Sequence, residues 1–515
     1  MTDISVENIR QAILDALPQD VAQHTDEISP TRLYLPLAHV KALRLESNLV
    51  IGDRGVGKSV WSQALQQSPA LQGKGALPQT LFPYPLTVLP GYGTNADPRY
   101  PDSDTFEDLL KKGFTPYAIW RAVLCRALAE VTAQAIPSDD WEATVHWVQD
   151  QPEAVAALIQ KADQFSQQAD TGVLFVFDAL DRVSSSGQWK MVDQAIRDLL
   201  RLVLQLKGTK RLHAKVFLRT DQYERGSFSG IPDVSKLQST RVELIWSATD
   251  LHGLLWQSLT NGKSSQVQRA FREWCHNEGS SNWLDMMAMI EAEDREQKQE
   301  IDQSNELMMP INRWPLPPSL QRDENAQRRL FERLAGPWMG KDRRRGVPYV
   351  WIVNHLADGR GQTSPRSFLE AIKKAAEDSQ RYSDYPLAIH YESLKRGVQV
   401  ASEIRINQLA EDHPWLKELM TPLAGLSVPC AEAAIYERWT EKSGSKHDSF
   451  SGLSESLPDN LRDQGLRGFL LYLEQLGLIT YMRDGRINMP DLYRVGFHLG
   501  RKGGVKPALR ASQQV

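Results

Sequence analysis

Apolar and polar positions along this chain repeat with two different periods, and the switches between them mark its elements. Between residues 47 and 250, short, nearly continuous apolar runs alternate with longer stretches patterned at three- and four-residue spacing. The runs lie at 48–52, 84–89, 172–177, 214–219 and 241–246. Runs of this kind predict strands buried on both faces, as in a parallel sheet. Helices are expected at about 58–67 and 188–206. They are also expected over most of 105–168, where Ile119, Ala122, Val123 and Ala127 recur on one helical face. Strands alternating with helices predict an α/β fold.

The flanking regions read differently. Residues 1–46 carry an amphipathic helical pattern, with 34–39 as a turn ahead of the first strand. Helical patterning returns over 248–380. It is interrupted by the charged stretch Glu291–Glu300, read as a solvated helix or an insertion loop, and by a proline-rich break at Met309–Pro318. Near the C-terminus, helical patterns at 428–440 and 466–477 precede a hairpin signal at 478–489, where Asp484 and Gly485 form the turn. Helices followed by one hairpin suggest a winged helix. A chain of 515 residues exceeds one ordinary core. The expected division is a helical segment (1–46), an α/β core (47–250) with a helical insertion at about 105–168, a helical lid (251–385) and a C-terminal winged-helix-like domain (386–515).

The first strand runs into the residues that carry chemistry. Gly52, Gly57, Lys58 and Ser59 fit the pattern G-x-x-x-x-G-K-[ST] without a mismatch. Glycine lets the backbone turn through positive φ, so that successive N–H groups and the start of a helix point at a phosphate chain. The stretch Gly52, Asp53, Arg54, Gly55, Val56, Gly57, Lys58, Ser59 and Val60 is therefore the expected nucleotide-binding loop of a P-loop NTPase. Lys58 should reach the β- and γ-phosphates, while Ser59 and Asp178, which ends the strand at 172–177, should hold Mg²⁺. Many ATPases place a glutamate directly after such an aspartate; here Ala179 follows, and Asp181 is the nearest carboxylate for orienting water. That substitution predicts slow turnover. Neither an LSGGQ-like signature nor a guanine-reading NKxD is present, so ATP is the expected nucleotide, with residues 34–39 lining its base.

The loop residues 54–59 and the run Asp178–Arg182 (Asp-Ala-Leu-Asp-Arg) resemble those of bacterial AAA+ ATPases, in the branch that includes origin-recognition-like proteins and the STAND signalling ATPases. The resemblance implies further roles. Thr220 and Asp221 are similar to a sensor 1, Arg241 to an arginine finger offered to a neighbouring subunit, and Arg366 to the sensor 2 arginine of a lid. It also implies an ATP-driven switch that forms a homo-oligomer or controls a separately encoded effector protein, in a setting of bacterial antiviral defence. The chain departs from the family core in spacing: Lys58 and Asp178 lie 120 positions apart.

Composition narrows the partners. The formal charge of −4 argues against a globally nucleic-acid-binding surface but leaves local ones open. Two basic clusters stand out: Lys341 with Arg343, Arg344 and Arg345, and a tail of Arg494, Arg501, Lys502, Lys506 and Arg510. The helix expected at 466–477 offers only Arg467 against Glu474. A DNA-associated ATPase and a structural ATP-binding scaffold therefore remain as alternative readings. No stretch is apolar enough to span a bilayer, so no membrane partner is expected. Three dispersed cysteines and an acidic amphipathic N-terminus suit the cytoplasm.

Overall fold

The computed structural model describes residues 4–17, 33–67, 81–184, 189–225, 228, 230–262, 265–278, 314, 316–441, 465–501 and 505. These residues form two compact units. One holds the described residues between 33 and 245; the other holds 4–17 and those from 246 onward. The stretch Glu291–Glu300 and most of Met309–Pro318 fall outside the described residues, as do Lys502, Lys506 and Arg510.

The first unit is built on a five-stranded parallel sheet in the order β2-β3-β4-β1-β5. Its strands are β1 (Leu49–Ile51), β2 (Leu86–Tyr92), β3 (Gly172–Phe177), β4 (Leu212–Leu218) and β5 (Val242–Glu243). All residues of β1 and β3 are buried, as their unbroken apolar runs require. Helices flank this sheet. Helix Trp189–Leu206 buries Val192, Ile196, Leu199 and Val203 on one stripe, and Trp120 of helix Pro116–Thr132 donates its indole N–H to the Ala195 carbonyl at 2.9 Å. Between β2 and β3 the chain makes four helices, Ser103–Lys111, Pro116–Thr132, Trp141–Asp150 and Pro152–Gln168.

Two departures from the pattern-based expectation have local causes. Strand β2 runs on through Pro90 and Gly91, beyond the apolar run at 84–89. It lies at the edge of the sheet, where a missing N–H is tolerated, and a bulge falls between Pro90 and Tyr92. Gly91 is required because a β-carbon there would stand 2.3 Å from the Phe177 ring. Residues 37–39, expected within a turn, instead open a short helix, Leu37–Leu43. Within 34–39, Tyr34 and His39 are buried and Leu37 is exposed.

The second unit is helical. Helix Pro365–Asp378 packs along Tyr391–Asp412 so closely that a β-carbon at Gly397 would meet the Ala371 carbonyl at 2.2 Å. The N-terminal helix Val6–Ala16 joins this unit through Arg10, whose buried guanidinium donates to the carbonyls of Ala388 and Leu387 at 2.9 and 3.2 Å. Helix Gly465–Gln475 precedes an antiparallel pair, β6 (Thr480–Tyr481) and β7 (Ile487–Asn488), with Gly485 at φ 80° in the turn. Among the described residues no helix is long and apolar enough to cross a membrane.

Candidate nucleotide site

The carboxyl ends of β1, β3 and β4 face one edge of the sheet, where α/β folds of this kind bind ligands. At the end of β1, Gly52 donates its N–H to Leu218 at 3.1 Å, and a β-carbon there would lie 2.6 Å from Val56. The chain then turns through Gly55 (φ 88°) and Gly57 (φ 99°) into helix Lys58–Gln66. Both angles are open to glycine at little cost. Asp53, Arg54 and Ser59 are half-buried, Val56 is buried and Val60 is exposed.

Lys58 folds back over its own loop, its ammonium donating to the Gly52 and Asp53 carbonyls at 2.8 and 2.9 Å. Desolvation there, reinforced by the neighbouring Arg219 charge, lowers its pKa to about 8 against the opposing pull of Asp178, Asp53 and Asp181. Asp178 is buried at the end of β3 and holds the Ser59 hydroxyl. Burial pushes its pKa up, while that hydrogen bond and Lys58 oppose the shift.

After Asp178 the backbone passes through Ala179 at φ 54°, ψ 37°, the left-handed region, and into the 3-10 turn Leu180–Val183. Such a conformation costs an alanine about 1 kcal/mol. It turns Asp181 toward Arg219, at 3.8 Å. Arg219 follows β4 directly and was read in the sequence only as the end of a strand. Its signal was nevertheless there: a cation delivered at the carboxyl end of a buried parallel strand, just as β3 delivers Asp178. Its Nε donates to Asp221 at 2.9 Å, and Arg225 holds the other Asp221 oxygen at 2.8 Å. Asp221 therefore sits between two arginines. Thr220 is buried, and its hydroxyl has no hydrogen-bond partner among the described residues.

Lys58, Ser59, Asp178, Asp181, Thr220 and Asp221 thus come together, with Arg219 added at their centre. Arg241 stands apart on the surface, its guanidinium 4.9 Å from the Tyr223 ring centre and hydrogen-bonded to the Tyr223 hydroxyl. Arg366, in the first turn of helix Pro365–Asp378, belongs to the second unit.

The residues fit a nucleoside triphosphate with a hard divalent cation. The loop leaves no room for a side chain at Gly52, and the Thr220 hydroxyl is an orphaned buried polar group. Among the described residues no three His, Cys, Asp or Glu side chains converge to cage a metal. Ser59 and Asp178 alone could supply only part of a Mg²⁺ shell, the remainder falling to phosphate oxygens and water.

No protein-family model matches the sequence, and no curated protein matches it with significance. Several solved structures show a low overall likeness. The Aeropyrum pernix ORC1 protein in complex with DNA is 11% identical over 93% of each chain, with a TM-score of 0.33. The Aeropyrum pernix ORC2 protein in ADPNP–ADP complexes is 12% identical over 93% of this chain and 95% of that one, with a TM-score of 0.35. Cdc6p from Pyrobaculum aerophilum is 10% identical over 94% of each chain, with a TM-score of 0.28.

Proposed function

We propose that this chain is an ATP-driven switch. It binds ATP with Mg²⁺ on the Gly52–Ser59 loop, hydrolyses it slowly, and uses the bound state to assemble with copies of itself or to engage a separately encoded effector protein. The observation that carries this reading is the meeting of Lys58, the Ser59–Asp178 pair and the Arg219–Asp181 pair at one edge of the sheet.

Each residue has a definable task. Lys58 exchanges the Gly52 and Asp53 carbonyls for phosphate oxygens, a charge-assisted and stronger bond. Ser59 and Asp178 hold the cation, which when bound neutralises charge developing on the phosphates. Asp181 orients water as a short carboxylate, and its charge is shared with Arg219. That ion pair competes with water for the carboxylate and supports slow turnover. Thr220 offers its unpartnered hydroxyl to a phosphate oxygen or to water. Arg241, ordered on Tyr223 yet exposed, serves a neighbouring subunit's nucleotide, and Arg366 takes the sensor 2 role that the resemblance implies.

Equilibrium binding and single-turnover hydrolysis test the proposal. Lys58→Ala should weaken ATP binding roughly 100-fold, the loss of a charged phosphate contact of about 3 kcal/mol. Asp178→Asn should bind ATP yet lose most turnover. Native affinity in Lys58→Ala would overturn the site.

A further inference from the structure

In the second unit, residues 339–346 form a closed loop. Met339 donates its N–H to the Gly346 carbonyl at 2.9 Å, and Gly340 (φ 146°) and Gly346 (φ 96°) turn the backbone at either end. Between them lie Lys341, Asp342 and the 3-10 turn Arg343–Arg345. All four cations are exposed. Asp342, the one acidic residue among them, accepts the Arg344 backbone N–H at 2.8 Å. Its carboxylate is thereby engaged in shaping the turn.

None of these four cations has a hydrogen-bonding or ionic partner among the described residues. Other arginines of the unit are engaged: Arg272 on the Thr260 carbonyl, Arg329 on Glu278, and Arg381 and Arg396 on Asp378. An ordinary solvated face intersperses charges of both signs. Here four like charges crowd into five residues of a chain whose net charge is −4. The loop is also supported. A β-carbon at Gly346 would touch the Trp351 ring at 3.4 Å, and that ring stacks on His355 at 3.9 Å.

We infer that this loop is a docking site for the phosphate backbone of a nucleic acid. Guanidinium groups match phosphate oxygens in geometry and charge. A 3-10 turn has three residues per turn, so the three guanidiniums fan apart and no single anion can take them all. A duplex, with one charge per roughly 1.7 Å of axis, presents phosphates across that whole fan. Contacts of this kind carry no base information, so binding is independent of sequence. The inference stands apart from the ATP site and does not depend on it.

The test is anisotropy of a labelled 30-base-pair DNA duplex with the full chain, across about 50–200 mM KCl. The variant K341Q/R343Q/R344Q/R345Q should bind at least ~10-fold more weakly, and its slope of log Kd against log salt should flatten by about 3 to 4. Arg344→Gln alone should flatten it by about 1, which decides the matter should the quadruple variant fail to fold. A far-UV circular dichroism spectrum and a urea unfolding midpoint equal to the wild type's mark the variant as folded. The inference is overturned if the wild type does not bind the duplex, or if the variants keep its affinity and slope. It is equally overturned if polyglutamate or phosphatidylserine vesicles, rather than DNA, are what the loop charges hold.

Discussion

Lys58 is protonated when it meets a phosphate, yet the free loop already lowers its pKa to about 8 through desolvation and the Arg219 charge. Phosphate oxygens raise that pKa on binding, so two regimes follow. Below about pH 8 the lysine is charged before and after binding, and it makes ATP affinity independent of pH. Above it, binding takes up a proton, and Kd should rise by about tenfold per pH unit. Titrating ATP affinity from pH 7.5 to 9.5 shows this break, and a flat profile would count against it. Arg219 supplies an independent handle. Its removal in Arg219→Gln lifts a like charge from Lys58, so the break should move to higher pH while turnover falls. A purely structural arginine would leave the break where it is. Sequence alone brought out Lys58 and Ser59 through the fixed spacing of the glycine-rich loop, and Asp178 through its place at the end of a buried apolar run. Arg219 lay hidden because its meaning depends on which strands are neighbours: β4 lies between β1 and β3, and that order is not written in any local pattern.

At the scale of elements, β4 does more than present Arg219 and Thr220. Its Lys215 is buried and donates to the carbonyls of Ala42, Arg44 and Ser47, two of them at 2.7 and 2.9 Å. These carbonyls belong to the end of helix Leu37–Leu43 and the turn into β1, where a helix leaves acceptors unsatisfied and favours a cation. A lysine inside an apolar run looks like a sequence blemish; here it fastens a short helix to the sheet. Lys215→Met would fill the space but strand the buried carbonyls, lowering the urea unfolding midpoint by an amount equivalent to about 2–4 kcal/mol. An unchanged midpoint would show that water can replace the ammonium. Burial also lowers the Lys215 pKa from 10.5 to about 7. Between those values the unfolded chain binds more protons than the folded one, so this group makes stability rise with pH across that window. Where the strands were misjudged, at Pro90 and Gly91, the deciding facts were again tertiary: an edge position and the Phe177 ring.

At the scale of the whole molecule, the C-terminal cations divide by what surrounds them. Arg494 is 1% exposed; it donates to Asp491 at 2.8 Å, to the Leu499 carbonyl at 2.9 Å, and to the Val505 carbonyl. Arg501 shares the same Asp491 oxygen at 3.2 Å, and His355 approaches the other at 3.6 Å. These two arginines, part of the basic tail that the sequence offers to an alternative DNA-associated reading, are instead fastenings that close residues 491–501 and Val505 onto the helices of the second unit. Ser402 adds to the closure, donating to the Leu492 carbonyl and accepting the Gly496 N–H at 2.9 Å. Breaking a buried, hydrogen-bonded ion pair from one side leaves an uncompensated charge, at a cost of about 3–5 kcal/mol. Arg494→Ala should therefore lose hydrogen-exchange protection in peptides covering 348–355, 391–412 and 491–501. Arg501→Ala, whose guanidinium is partly exposed, should lose much less. Equal protection in Arg494→Ala and the wild type would show the network to be ornamental. It follows that truncating the chain at 494 is no test of DNA binding, because it removes a core residue together with the charges. Neutralising the loop at 341–345 leaves the Asp491 network in place, and so it isolates electrostatics from folding.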